Sequence, residues 1–263
     1  MTPRVAVLTF PGSNSEVETV RACQAAGMTT DLVHWTADLD HVRSYAAYVL
    51  PGGFAYEDRV RAGAIAAHDR LMQAVREGAD VGKLVLGICN GAQILLEAGL
   101  APGFGGTYEA RPTASFTHNA QRAFLCRAVH VQLAVEPRRC ALTAALPRSI
   151  VLPMWASHGE GRLAAHPDVL AQLEAKNHVV FRYSDERGNP IEAPNGSALA
   201  AAAITNEAGN VLAIMPHPER SNVLFQQVWS PQRRAAWGNR EQILSPAGGH
   251  AFFTAFAAAL KQG

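Results

Sequence analysis

Apolar positions in the first part of the chain come as short β-rich runs separated by stretches with helical spacing. Val5 to Phe10 is such a run, closed by Pro11-Gly12. Ser15 and Glu18 then stand in capping-box spacing ahead of a helix predicted to run to about Gly27. Asp31 to Trp35 and Tyr48 to Leu50 predict two further strands, the second ending at Pro51-Gly52-Gly53-Phe54. Ala62 to Gly78 carries Ile65, Leu71, Met72 and Val75 as an apolar stripe, which predicts a helix. Leu84 to Leu86 suits a strand buried on both faces, and Ala92 to Ala98 a helix. Strand and helix alternate throughout, which implies a parallel, doubly wound sheet.

After Gly99 the pattern changes. Pro102 to Asn119 is glycine-rich and polar, and Phe124 to Val135 alternates as a strand with one exposed face does. Val179 to Tyr183, Ser197 to Thr205 and Val211 to Met215 are β-type runs joined by turn clusters such as Asn195-Gly196, so this half is expected to hold antiparallel hairpins. The segment from Trp229 to Ala247 has no clear period, and an amphipathic helix is expected from about His250 to Lys261. The expected organisation is one domain over residues 1–263 with an extra surface segment around 229–247.

Composition narrows the class. The chain has 263 residues, 48% hydrophobic and 17% charged, with net charge +1, in keeping with one large α/β domain. The near-neutral balance argues against a nucleic-acid surface. There is no run of about 18 apolar residues and no signal-peptide pattern, so no membrane association is expected and the location is read as cytoplasmic. Cys23, Cys89, Cys126 and Cys140 are widely separated and form no C-x-x-C pair, and no trio of histidines has ligand spacing, so neither a disulfide framework nor a metal site is indicated.

Chemistry concentrates at Cys89, which lies between glycines in Gly87-Ile88-Cys89-Asn90-Gly91, where the predicted strand gives way to a helix. Small residues two positions either side of a nucleophile allow a sharp strand-to-helix turn that raises the side chain above the sheet edge. The helix N-terminus favours negative charge and offers N–H donors to an oxyanion. The alternative for a lone intracellular cysteine is a small buried hydrophobe. Two His-x-Glu pairs could supply a base and its orienting carboxylate. Prolines on both sides hold His217 extended in Met215-Pro216-His217-Pro218-Glu219, at the end of an apolar run; His158 and Glu160 lie among glycines. The first pair is favoured, and sequence physics alone leaves the second open.

Taken together, Pro51-Gly52-Gly53, Gly87-Ile88-Cys89-Asn90-Gly91-Ala92-Gln93 and His217-Pro218-Glu219 resemble the class I, triad-type glutamine amidotransferases. Phe10-Pro11-Gly12-Ser13-Asn14, Phe124-Leu125-Cys126-Arg127, His158-Gly159-Glu160-Gly161 and the Arg220 that follows Glu219 are similar, more narrowly, to the glutaminase subunits of phosphoribosylformylglycinamidine synthase. The resemblance implies a flavodoxin-like doubly wound sheet and a reaction in which Cys89 attacks the glutamine amide, with His217 as acid and base and Glu219 orienting it. It further implies an oxyanion hole from the backbone N–H groups of Gly53 and Asn90, with Gln93 and His158 lining the pocket for L-glutamine. Ammonia would pass to a separate synthetase subunit, where ATP and Mg are expected, with a small bridging subunit; this chain itself would carry no cofactor. Glu57 departs from the family pattern where glycine is usual, and Arg59-Val60 where Tyr-Leu is common. A related cysteine hydrolase and a non-catalytic regulatory module are the rival classes; Gln93 and the retained Cys, His and Glu speak against them.

Overall fold

The computed structural model describes residues 3–105, 111–227 and 230–262. Eleven strands and eight α-helices alternate in the order β1 (Arg4–Thr9), α1 (Glu16–Ala25), β2 (Thr29–His34), α2 (Leu39–Arg43), β3 (Ala47–Leu50), α3 (Leu71–Asp80), β4 (Leu84–Ile88) and α4 (Asn90–Glu97), then β5 (Ala114–Thr117), β6 (Leu125–Leu133), β7 (Val151–His158), β8 (Arg162–Ala165), α5 (Pro167–Ala175), β9 (Val179–Ser184), β10 (Ala201–Thr205), β11 (Val211–Ile214), α6 (Pro231–Ala235), α7 (Arg240–Ile243) and α8 (Gly248–Leu260). Nine strands form one sheet in the order β2-β1-β3-β4-β11-β10-β9-β6-β7, and β5 pairs with β8 in a small second sheet.

The predicted division holds. β2, β1, β3, β4 and β11 run parallel, and β10, β9, β6 and β7 continue the sheet antiparallel. The parallel strands are buried on both faces: Val5, Ala6, Val7, Leu8, Val85 and Leu86 are wholly inaccessible, which is why they read as unbroken apolar runs. Right-handed crossovers put α1 on one face and α2 and α3 on the other, because the chain moves one way from β1 to β2 and the opposite way thereafter. α8 packs on α1, and α2 on α3. The loops after β1, β3, β4 and β11 therefore gather at the carboxyl end of the sheet, around the point where strand order reverses.

Two local expectations are corrected, and one strand is added. Ser15 precedes α1, but its side chain makes no cap hydrogen bond, so the predicted capping box does not form. The helix expected over Ala62 to Gly78 is broken: a 3-10 turn covers Ala66–His68, Asp69 is extended, and α3 starts only at Leu71. The Asp69 carboxylate accepts the Leu71 N–H (2.9 Å) and the Tyr56 hydroxyl (2.7 Å), a side-chain alternative to helical bonding. β7 went unread because Pro153 interrupts it. Proline is tolerated there, since β7 is the last strand of the sheet order, and Leu152, Met154, Ala156 and His158 face inward with strict alternation. Of the segment from Trp229 to Ala247, Trp229 lies outside the described residues, and α6 and α7 supply short helical turns in the rest. Among the described residues, no helix is long and apolar enough to cross a membrane.

Candidate active site

β4 and β11 are parallel neighbours in register, Ile88 opposite Ile214, so the residues that leave their carboxyl ends emerge side by side. The Cys89 N–H donates to the Ile214 carbonyl (2.8 Å), fastening the turn at β4 to the strand that leads to His217. Cys89 itself has φ 51° and ψ −105°, a strained backbone for an L-residue, and its side chain is nearly buried. The flanking glycines are required by close approach. A Cβ on Gly87 would lie 2.5 Å from the Gly91 carbonyl oxygen, and one on Gly91 would overlap the Leu50 carbonyl oxygen of β3. A Cβ on Gly52 would lie 2.7 Å from His217 Cε1 and 3.5 Å from Cys89 Cβ, which locates the cysteine and the histidine on either side of the loop after β3.

His217 and Glu219 are both buried, and Nδ1 of the ring is 2.5 Å from Glu219 Oε1. Burial opposes protonation of this ring; the Glu219 carboxylate, followed by the Cys89 sulfur, outweighs it and raises the imidazole well above its ordinary range. Its Nε2 has no hydrogen-bond partner among the described residues. The His217 N–H donates to Trp155 O (2.7 Å), so β7, though last in the sheet order, reaches the carboxyl edge of the parallel strands. The Cys89 thiol faces Ser157 O of the same strand (3.6 Å).

The rival pair does not form. His158 Nδ1 meets Asn119 Oδ1 at 3.1 Å, and that oxygen also accepts the Gly161 N–H (3.1 Å). An amide oxygen can only accept, so the proton sits on Nδ1. Glu160 turns elsewhere, to His118 (3.7 Å) and the Ala62 N–H (3.4 Å). Burial, and then the charge of His217, pushes His158 down to about 4, so it is neutral at physiological pH.

The His158 shift makes a stability prediction. Above its unfolded value of about 6.5 the ring is neutral folded or unfolded, whereas between that value and about 4 the unfolded chain binds the proton and the folded chain resists it. Stability therefore falls with pH across this window. His158 alone accounts for about 2 kcal/mol of loss between pH 7 and pH 5. Urea titrations of the wild type and His158→Asn at both values should show a shallower fall in the variant; equal falls refute the assignment.

A cavity of about 220 Å³ opens beside Cys89 and His217, lined also by Asn14, Gly53, Phe54, Asp58, Gln93, Phe124, His158 and Glu160. Gln93 and His158 were expected there from the sequence; Asn14, Asp58 and Phe124 were not. Asn90 begins α4, where an N–H has no acceptor within its own helix. The Gln93 amide donates to Glu160 O (2.5 Å). Burial, followed by the Glu160 charge, raises the Asp58 carboxyl to about 6. The loop that carries Asp58 is backbone-strained: Tyr56, Glu57, Asp58 and Val60 have φ of 55°, 60°, 50° and 73°. Glycine is at ease at such a φ, which accounts physically for its being usual where this chain has Glu57. Glu57 and Arg59 pair with each other in solvent (2.9 Å), a contact of little energetic weight. Among the described residues no group of three or more His, Cys, Asp or Glu side chains could hold a metal ion.

The model of the CobB/CobQ-like glutamine amidotransferase domain matches residues 2–248, which makes the chain a glutamine amidotransferase by class. The chain is 42% identical over 218 residues to phosphoribosylformylglycinamidine synthase subunit PurQ of Thermus thermophilus, covering 83% of this chain and 89% of that one. It is 38% identical over 248 residues to the same subunit of Methanothrix thermoacetophila, covering 91% and 95%. Among solved structures, that of PurLQS from Thermotoga maritima matches with a TM-score of 0.74 and 29% identity, over 98% of this chain and 99% of that one. The chain belongs to the PurQ family of glutamine amidotransferase subunits.

Proposed function

We propose that this chain is the glutaminase subunit of phosphoribosylformylglycinamidine synthase and that Cys89, His217 and Glu219 carry its chemistry. The observation that carries the reading is the buried His217–Glu219 pair, raised toward imidazolium, beside a cysteine on the neighbouring strand end. Cys89 gives its proton to His217 and its sulfur attacks the side-chain carbonyl carbon of L-glutamine. The C–N bond breaks as His217 returns the proton to the leaving nitrogen, releasing ammonia and leaving a glutamyl thioester. Water, deprotonated by His217, then splits the thioester to glutamate and restores the thiol. Glu219 stabilises the cation formed twice in this cycle. The N–H groups of Gly53 and Asn90 are the proposed donors to the tetrahedral oxyanion, each such donor being worth about a hundredfold or more in rate.

The cavity suits a free amino acid: the amide end meets Cys89, Gln93 and His158 lie along the wall, and the Glu160 carboxylate complements an α-ammonium. The ammonia passes to the synthetase subunit, which converts formylglycinamide ribonucleotide to formylglycinamidine ribonucleotide with ATP and Mg; no cofactor is assigned to this chain. A small bridging subunit is proposed as the third member of the complex. Four free cysteines suit the reducing cytoplasm, the proposed location.

The test is glutamate release from glutamine by the purified chain, alone and with synthetase, bridging subunit, ATP and formylglycinamide ribonucleotide. Hydrolysis that rises sharply in the mixture is the expected result. Equal, brisk hydrolysis in both would mark a free-standing hydrolase, and none in either would mark a non-catalytic module.

A further inference from the structure

The Asn90 side chain is buried and three of its four hydrogen-bonding positions are used. Its Oδ1 accepts the Ala55 N–H (2.9 Å), while Nδ2 donates to Asp58 Oδ1 (3.0 Å) and to Gln93 Oε1 (2.9 Å). These partners lie on two different parts of the molecule. Ala55 and Asp58 belong to the loop after β3, two and five residues beyond Gly53, and Gln93 lies on α4 and reaches on to Glu160 O. The loop adopts left-handed φ at four non-glycine positions, which it would relax from if released. Tyr56 anchors it at a second point through its N–H to Pro11 O (2.7 Å) and its hydroxyl to Asp69 (2.7 Å). Neither anchor reaches α4.

We infer that the Asn90 carboxamide is a positioning residue, a clamp that holds the Gly53 segment and the start of α4 in fixed register so that their two N–H groups converge on one oxyanion. The inference rests on the glutaminase reading and adds to it a role for a side chain that touches no reacting atom. Because the same amide holds Gln93, the clamp also links the glutamine pocket to the oxyanion hole: a substrate that orders Gln93 tightens the bond that sets the donors. Asp58 is the acceptor that keeps the strained loop on the clamp, and the Gly63 N–H supports its carboxylate from behind.

The test uses the assembled complex with Asn90→Ala, Asn90→Asp, Asp58→Asn and the Asn90→Asp/Asp58→Asn double variant. Asn90→Ala is expected to lower kcat for glutamate release about tenfold to a hundredfold with KM changed far less, since misplaced donors weaken the transition state and not the ground state. Alkylation of Cys89 by iodoacetamide, which needs no oxyanion hole, should proceed at the wild-type rate. Asn90→Asp sets two carboxylates face to face; the double variant restores a donor opposite an acceptor at this contact while the bond to Gln93 Oε1 stays lost, and it should recover part of the lost kcat. Should Asn90→Ala fail to fold, the comparison of Asn90→Asp with the double variant decides alone. A rise in KM at constant kcat, alkylation that falls in step with kcat, or a double variant no better than Asn90→Asp overturns the clamp while leaving the glutaminase reading intact. A wild-type complex that releases no glutamate overturns both.

Discussion

Glutamine-dependent synthesis by the assembled complex is expected to fall on the order of a millionfold when Cys89, the proposed nucleophile, is replaced by alanine. Synthesis from added ammonium salts continues in the same variant. The reason lies in how little else the sulfur does: its hydrogen bond to Ser157 O is a weak one, and alanine fits the space it leaves. His217 and Glu219 keep their mutual contact, and the synthetase receives ammonia from solution in place of the glutaminase. Measuring product with each nitrogen donor separates the two activities. Parallel loss of both would show that Cys89 holds the complex together and would sink its role as nucleophile.

Gly91→Ala has the largest expected effect on stability. The added methyl would overlap the Leu50 carbonyl oxygen and lie 2.6 Å from its carbon and 2.8 Å from Leu50 Cβ, all atoms of β3 that cannot swing aside. β3 and α4 must part instead, in a core where both are buried. Overpacking of this kind costs about 3 kcal/mol or more. For a chain of this size, that lowers Tm by roughly 6–12 °C. Gly105→Ala, whose new Cβ meets no atom of the described residues within 4 Å, is the matched control and should leave Tm unchanged. If both variants melt alike, the close approach of α4 to β3 is not what demands glycine at position 91. Gly91→Ala should also slow glutamate release, since the displaced helix carries the Asn90 N–H away from Gly53.

Much of this site was legible because it rests on short-range chemistry. The apolar runs of the parallel strands, the glycines around Cys89 and the prolines around His217 each act within a few residues of themselves, so spacing alone exposed them. Contacts that join distant segments were not. In the sequence Asn90 counted only through its backbone N–H, as an expected oxyanion donor; its carboxamide acquires meaning only when the loop after β3 lies against α4. The choice between His217 and His158 turned on Asn119, a residue far from either in sequence, which occupies the His158 nitrogen that a carboxylate would need. Ser15 and Glu18 matched a capping box, yet the Ser15 side chain makes no cap hydrogen bond. Asp69 broke a helix whose periodicity was otherwise sound, by offering its carboxylate to Leu71 and Tyr56. Asn90 and Asn119 were missed because their partners lie on segments that no local window contains.

The sheet order also governs when the chain becomes an enzyme. Cys89 follows β4, but the strand that lies beside β4 is β11, among the last to be made. Every residue from α4 through β10 is synthesised between Cys89 and His217, the proposed nucleophile and base, and closing so long a loop precedes any contact between them. A nascent chain still held on the ribosome, or one truncated before Pro216, displays a cysteine with no histidine to take its proton. On the proposed roles, a copy that stops short of His217 holds no base for Cys89 and is expected to release no ammonia.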